Sequence, residues 1–188
     1  SHEIALDSSI AFSATDLFPH IDSIGTHPIS TWRQLLRHEH SLYNYTESPQ
    51  FQHQPTMAPD AALELAFTEK GYMDWHYSNS NYLLAGYLLQ EIGQQPWPQL
   101  VQQQVFAPIG IEQSAWRYSE STRIPSADMG LSLRANDALR FMCALFDGQL
   151  LDREQRRELL NFVLLNDNYA YGLGLARKQV QGHIVYFH

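Results

Sequence analysis

The chain has 188 residues, 44% hydrophobic and 17% charged, a balance that supports a buried core and argues against a disordered tail. Its net charge of −8, with Lys70 and Lys178 as its two lysines, makes nucleic acid an unfavourable partner. One cysteine, Cys143, excludes an internal disulfide and a cysteine-rich metal site, and no apolar run reaches the roughly 20 residues of a membrane span.

Residues 1–28 are mixed and polar, with a short helix expected near Thr15–Phe18. Thr31 followed by Gln34 is a capping-box pattern, and Trp32, Leu35 and Leu36 give the apolar stripe of a short helix ending near His38. A loop is expected from His40 to Met57. Pro59 then suits the first turn of a second helix, with Ala62, Leu65 and Ala66 inward and Gly71 as its terminator. Asn79 is a candidate cap for a third helix. Tyr82, Leu83, Ala85, Gly86, Leu89 and Ile92 make that helix apolar almost all round, hence central, and Gly93 ends it. Pro96 and Pro98 open a fourth, with Leu100, Val101, Val105 and Phe106 inward, stopped by Pro108 and Gly110. A fifth runs from about Ala135 to Asp147 with Leu139, Met142, Leu145 and Phe146 inward and Gly148 at its end. Asp152 and Gln155 start a sixth, which carries Leu159, Leu160 and Val163. Segments 171–177 and 182–188 read as two strands around a turn at 178–181. A hairpin alone is marginal and wants a larger sheet. The expected class is α+β, mostly helical with a C-terminal antiparallel hairpin. A chain stopping in a strand at His188 reads as an internal piece of something longer, with unpaired strands open to self-association.

The strongest chemical cluster is Tyr77-Ser78-Asn79, where a polar, aromatic loop meets the central helix. A tyrosine acts as a base only where a cation lowers its pKa, and an asparagine offers both a donor and an acceptor to an amide. The competing reading is that Asn79 is only a helix cap and Tyr77 only packs on the core. His38 and His40 are two residues apart, the wrong spacing for a helical metal pair, and no third ligand is placed by the sequence; no metal or cofactor is assigned. Cys143, on an apolar helix, is expected to be a buried, inert thiol. Gly172 and Gly174 are followed by no helix and so form no phosphate loop; Gln102, Gln103 and Gln104 read as a solvated helix face.

Several segments together resemble the serine β-lactamase and penicillin-binding family, in its class C-like branch. The run T-W-R-Q-L-L-R-H at 31–38 resembles the family's T-x-R-x-L-L-T-H. W-H-Y-S-N-S-N-Y at 75–82 resembles its Y-S-N element and the helix that follows. F-A-P-I-G-I at 106–111 is similar to F-x-P-L-G-M, and 129–141 is similar to G-G-L-x-S-T-x-x-D-x-x-R-F. Y-G-L-G-L at 171–175 is similar to Y-G-L-G-W, and His188 falls where an H-x-G or K-T-G strand motif begins. The resemblance covers about Thr31 to His188 and reads the chain as one partial domain, with a helical lobe at about 31–165 and the start of a sheet at about 171–188.

The resemblance implies acyl transfer or hydrolysis through a serine ester. It implies Tyr77 as base or proton relay, Asn79 as holder of the substrate amide and of the lysine, and His188 on the strand flanking the acyl group. The implied substrates are amides or esters: a peptidoglycan peptide, a β-lactam or a small ester. The implied location is extracytoplasmic, although no basic-then-apolar leader stands at the start of this chain. The family's S-x-x-K appears nowhere: Lys70 and Lys178 are preceded three residues back by Phe67 and Leu175. The chain alone is therefore expected to be inactive. The rival readings are a family member that has lost catalysis and binds peptides or a protein, and an unrelated helical interaction module.

Overall fold

Thr31 begins the first helix with a reciprocal pair of hydrogen bonds. In the computed structural model its hydroxyl accepts from the Gln34 N–H at 3.3 Å, and Gln34 Oε1 accepts from the Thr31 N–H at 3.2 Å. The structure describes residues 4–10, 31–53, 57–112, 115–116 and 126–188. The short helix expected near Thr15–Phe18 lies outside them. The chain forms two compact units, one of residues 1–102 and 114–132, the other of 103–113 and 133–188.

In the first unit, α1 (Trp32–Arg37) ends because His38 takes a left-handed conformation, φ 57°. Such a φ is uncommon outside glycine and turns the chain sharply. The stretch expected as one loop holds a 3-10 turn, Tyr45–Glu47, and a short helix, α2 (Pro49–His53). Ser48 Oγ accepts from the Phe51 N–H at 3.1 Å, so Ser48-Pro49 is a cap-and-first-turn signal inside an otherwise loop-like composition. α3 (Pro59–Thr68) buries Ala62, Leu63, Ala66 and Phe67. Leu65 is only partly covered, so the buried face is turned by about a residue from the expected stripe. The helix stops at Thr68, not at Gly71. Gly71 has another purpose: a Cβ there would stand 2.6 Å from the Ser41 carbonyl oxygen. That close approach allows the paired bonds Ser41 N–H to Tyr72 O (3.1 Å) and Tyr72 N–H to Ser41 O (2.8 Å).

α4 (Asn79–Gly93) is central, as its composition predicts. Leu83, Leu84, Ala85 and Leu88 pack with Trp32, Leu35, Leu42, Leu63 and Phe67 in one core. Each large apolar side chain there contributes about 1.5–3 kcal/mol. Leu89 and Ile92 lie outside it, 36% and 40% exposed. Two polar residues are inside, because Ser80 and Asn81 are fully buried. α5 (Trp97–Val101) continues as a π turn to Phe106 and a 3-10 turn, Ala107–Ile109, which Gly110 stops at φ 71°. Gln103 and Gln104 are exposed on the π turn. A two-residue ladder, β1 (Ala115–Trp116) with β2 (Leu131–Ser132), has no sequence signature of its own. Just before β2, the buried Tyr45 hydroxyl donates to Asp128 Oδ2 at 2.7 Å. Burial pushes both the Asp128 carboxyl and the Tyr45 phenol up.

In the second unit, α6 (Ala135–Asp147) has its expected bounds, and Met142, Leu145 and Phe146 of its expected face are half-buried. Ala144 is its buried residue, while Leu139 is 63% exposed. Cys143 is exposed, not buried. The capping box of Asp152 with Gln155 is formed and starts α7 (Arg153–Leu159). That helix ends before Val163, which instead opens β3 (Val163–Asn166). β4 (Tyr169–Tyr171), β5 (Ala176–Val180) and β6 (His183–Phe187) complete an antiparallel meander in the order β3-β4-β5-β6. The expected lone hairpin is thus half of a four-stranded sheet. Its turn is Gln181–Gly182, with φ of 50° and 82°, the two positive φ angles that match the twist of paired strands. Tyr171 and Leu175 are buried in this region, whereas Ile184 is 57% exposed.

Asn81 makes a concentrated set of buried polar contacts in the first unit. Its Oδ1 accepts from the Leu42 N–H at 3.0 Å. Its Nδ2 faces Leu35 O at 2.9 Å, Ser41 Oγ at 3.1 Å and His40 O at 3.2 Å. Removing one partner of a buried bond leaves the other unsatisfied, at about 1–3 kcal/mol each. Asn81→Ala is expected to lower stability by about 3 kcal/mol in urea unfolding, with the slope against urea unchanged.

Candidate active site

The segment 72–78 lies along the segment 37–41 and is fastened to it repeatedly. Trp75 Nε1 donates to Arg37 O at 2.9 Å, the His76 N–H to His38 O at 3.2 Å, and Ser41 Oγ to His76 O at 2.6 Å. The next residue is Tyr77, half-buried, its ring 4.6 Å from the His38 ring. The Ser78 N–H donates to His38 Nδ1 at 3.2 Å. His38 is therefore a buried hydrogen-bond acceptor that sets the entry of α4. His40 Nδ1 stands 2.8 Å from Met73 O.

Ser78, not Asn79, holds the cap position of α4, and its side chain makes no capping bond. Ser78 is fully buried, which keeps its hydroxyl from the solvent-facing side of the motif. Asn79 is the first helical residue, and its side chain is not spent on the helix. Its N–H is satisfied from outside by Asn44 Oδ1 at 3.2 Å. The Asn79 amide instead accepts from the Tyr77 hydroxyl at 3.4 Å and donates through Nδ2 to Thr46 Oγ1 at 3.1 Å. The structure brings Tyr77 and Asn79 together. His188 belongs to the second unit, where it follows β6 and its Nδ1 lies 3.5 Å from the Tyr171 hydroxyl.

Behind Asn79 lies a group that spacing does not announce. Thr46 Oγ1 donates to Asn44 Oδ1 at 2.9 Å, and Asn44 Nδ2 donates to Glu47 Oε1 at 3.1 Å. Glu47 also faces His76 Nε2 at 3.1 Å and accepts from the Tyr72 hydroxyl at 3.1 Å. The Tyr72 and His76 rings stack, with centroids 3.7 Å apart. Partial burial pushes the Glu47 carboxyl up, but hydrogen bonds from Asn44, His76 and Tyr72, with the His76 charge, outweigh it and hold it below the usual range. The Tyr72 phenol is pushed up to about 12, first by desolvation and then by its bond to Glu47 and the charge there. Asn44, Thr46 and Glu47 are 30 to 35 positions from Tyr77 and Asn79. Their only local signal is their place in a polar stretch between two helices.

The comparisons with known proteins fit this architecture. The family model for Beta-lactamase matches residues 5–187. The chain belongs to the β-lactamase family. Among solved structures, a D-stereospecific amidohydrolase from Streptomyces sp. superposes with a TM-score of 0.78 at 22% identity, over 98% of this chain and 67% of that one. The D-amino acid amidase from Ochrobactrum anthropi SV3, complexed with D-phenylalanine, gives 0.73 at 18% identity, over 98% and 63%. A penicillin binding protein from Bacillus halodurans gives 0.68 at 20% identity, over 85% and 60%. These likenesses establish the β-lactamase fold for a chain that spans about two thirds of the length of its structural relatives.

The Glu47 cluster has a titration signature. The phenol of Tyr72 should titrate near pH 12. Glu47→Gln removes the charge but not the burial, so the midpoint is expected to move only part of the way toward the ordinary value of about 10. Tyrosine absorbance or ring-carbon NMR during alkaline titration reads it directly.

Proposed function

We propose that this chain is part of a serine hydrolase of the β-lactamase and D-alanyl-D-alanine carboxypeptidase type, acting through a serine acyl-enzyme. The observation that carries the reading is the Tyr77–Asn79 pair. The Asn79 side chain is held by Thr46, from outside the helix, and by the Tyr77 hydroxyl; the Tyr77 ring packs on His38; neither side chain caps α4. A merely structural Y-S-N junction would put Asn79 on the cap, as the competing reading of the sequence has it.

The chemistry follows from the residue types. A serine hydroxyl attacks the carbonyl carbon of an amide or ester. Its proton leaves through Tyr77, acting as base or relay once a lysine ammonium stands near enough to favour the phenolate. The same proton then goes to the leaving amine or alcohol. Water cleaves the ester in a second turn of the same steps. Asn79 offers its amide to the substrate amide and to the lysine. We assign His188 the place at the head of the family's strand motif. The serine and lysine come from an S-x-x-K segment, which these 188 residues do not contain. On this reading the two units belong to a single domain of the family.

The substrate class we favour is the amide of a D-amino acid or a peptide ending in one. Support comes from the neighbours named as a D-stereospecific amidohydrolase and a D-amino acid amidase. A β-lactam and a small ester present the same reacting carbonyl and serve as probes.

Labelled penicillin tests the reading at two levels. The 188-residue chain is expected to take no covalent label, and label mapped to any of its own serines would contradict the assignment of the nucleophile. In a protein carrying this chain together with an S-x-x-K segment, one equivalent of label is expected. Tyr77→Phe should then slow acylation by about 100-fold or more, the usual worth of a positioned proton-transfer group. Acylation unaffected by Tyr77→Phe would remove Tyr77 from the mechanism.

A further inference from the structure

Hydrogen bonds have a sense, and along the chain from Glu47 to Tyr77 that sense can be deduced link by link. The Asn79 backbone N–H is only a donor, so the Asn44 atom facing it at 3.2 Å must be the carbonyl oxygen. The other end of the same amide faces Glu47 Oε1 at 3.1 Å. An ionised carboxylate only accepts, so that end must be the NH2, in agreement. Thr46 Oγ1, 2.9 Å from Asn44 Oδ1, must then donate its one proton to it. Having given up that proton, Thr46 Oγ1 can only accept from Asn79, 3.1 Å away, so Asn79 turns its NH2 toward Thr46. The Asn79 carbonyl is left facing Tyr77, whose hydroxyl must donate across 3.4 Å. That last link is the longest of the five and so the easiest to break.

We infer that Thr46 is a positioning residue: its hydroxyl, committed to the Asn44 carbonyl, fixes which way the Asn79 amide faces, and so holds Tyr77 as a hydrogen-bond donor. A side-chain amide in isolation can turn over and present either end. Here the donor-only N–H of Asn79 and the acceptor-only carboxylate of Glu47 hold the Asn44 amide from its two ends, and Thr46 passes that order on to the Asn79 side chain. The arrangement favours the phenol of Tyr77 over its phenolate, because a phenolate would face the carbonyl oxygen of Asn79. A cation arriving at Asn79 Oδ1 therefore meets the acceptor end of the amide and competes for it with the Tyr77 hydroxyl. The groups facing Glu47 are His76 and Tyr72, and the ring packed on Tyr77 is His38. That Tyr77 and Asn79 act on a substrate rests on the reading above; the sense of the hydrogen-bond chain does not.

The test therefore uses no turnover. Tyrosine labelled at the phenolic ring carbon reports each titration in the 188-residue chain, with Tyr77 assigned by the signal lost in Tyr77→Phe. Circular dichroism at each pH confirms that the fold is intact. Thr46→Val keeps the charge of Glu47 but removes the acceptor for Asn79 Nδ2. The Asn79 amide is then free to turn its NH2 toward Tyr77, and the Tyr77 midpoint is expected to move to lower pH. Glu47→Gln is expected to move it much less, because the Asn79 N–H still orients the Asn44 amide and glutamine can present its oxygen to Asn44 Nδ2. Thr46→Ser and Glu47→Asp keep the donor-acceptor pattern and are expected to hold the parent midpoint. The side-chain NH2 signal of Asn79 should also lose its slowed exchange in Thr46→Val and keep it in Thr46→Ser. A shift in Glu47→Gln with none in Thr46→Val would mean that the carboxylate acts only through its field, and would overturn the inference. Parent-like titration in both would overturn it as well.

Discussion

An α-helix begins with four backbone N–H groups that have no partner inside the helix, and in α4 the segment after α1 supplies partners for the entry. His38 Nδ1 takes the N–H of Ser78, and Asn44 Oδ1 takes that of Asn79. The exchange runs both ways. Ser80 Oγ accepts from the Tyr45 N–H at 3.1 Å, and Asn81 Oδ1 from the Leu42 N–H at 3.0 Å. A loop that would otherwise need solvent for its backbone groups is thereby laced onto the buried helix. The position of Tyr77 and Asn79 follows from this lacing, since both sit where the two segments meet. The left-handed turn at His38 and the missing Cβ at Gly71 are the two backbone conditions that let the strands of loop approach each other.

Much of the helical frame was legible in the sequence, because its signals are local. Both capping boxes formed, at Thr31 and at Asp152, and α3, α4 and α6 lie close to where periodicity and proline placement put them. The misreadings share a physical origin. Asn79 has a cap residue's chemistry, but it is the first residue inside the helix, where Asn44 takes its N–H and its side chain goes to Tyr77 and Thr46. Val163 continues the apolar run of α7 and yet starts β3, because a sheet partner at Tyr171 outweighs a weak helical preference. The turn falls at 181–182, at the far edge of the expected turn at 178–181, since Lys178 and Gln179 pair across to Val185 and Ile184.

The site was legible in part, and only through the motif. Tyr77 and Asn79 stand two residues apart, so their meeting is a short-range matter. Asn44, Thr46 and Glu47 reach them only because the chain folds back on itself, and composition gave no reason to choose them from the surrounding polar residues. What makes them matter is directionality more than strength. A neutral bond in the series contributes only about 1 kcal/mol, yet together the bonds leave one orientation for the Asn79 amide. Sequence reading reports residue types; the sense of a hydrogen-bond chain is a property of their assembly.

The lacing itself is open to one direct measurement, native-state hydrogen exchange of four backbone amides: Leu42, Tyr45, Ser78 and Asn79. Each has a side chain as its acceptor, from a residue more than thirty positions away. The account predicts that all four exchange as slowly as the amides in the middle of α4, because releasing any of them requires opening the packed segment pair. Exchange of Ser78 and Asn79 at the rate of a frayed helix end, with the middle of α4 still protected, would contradict it.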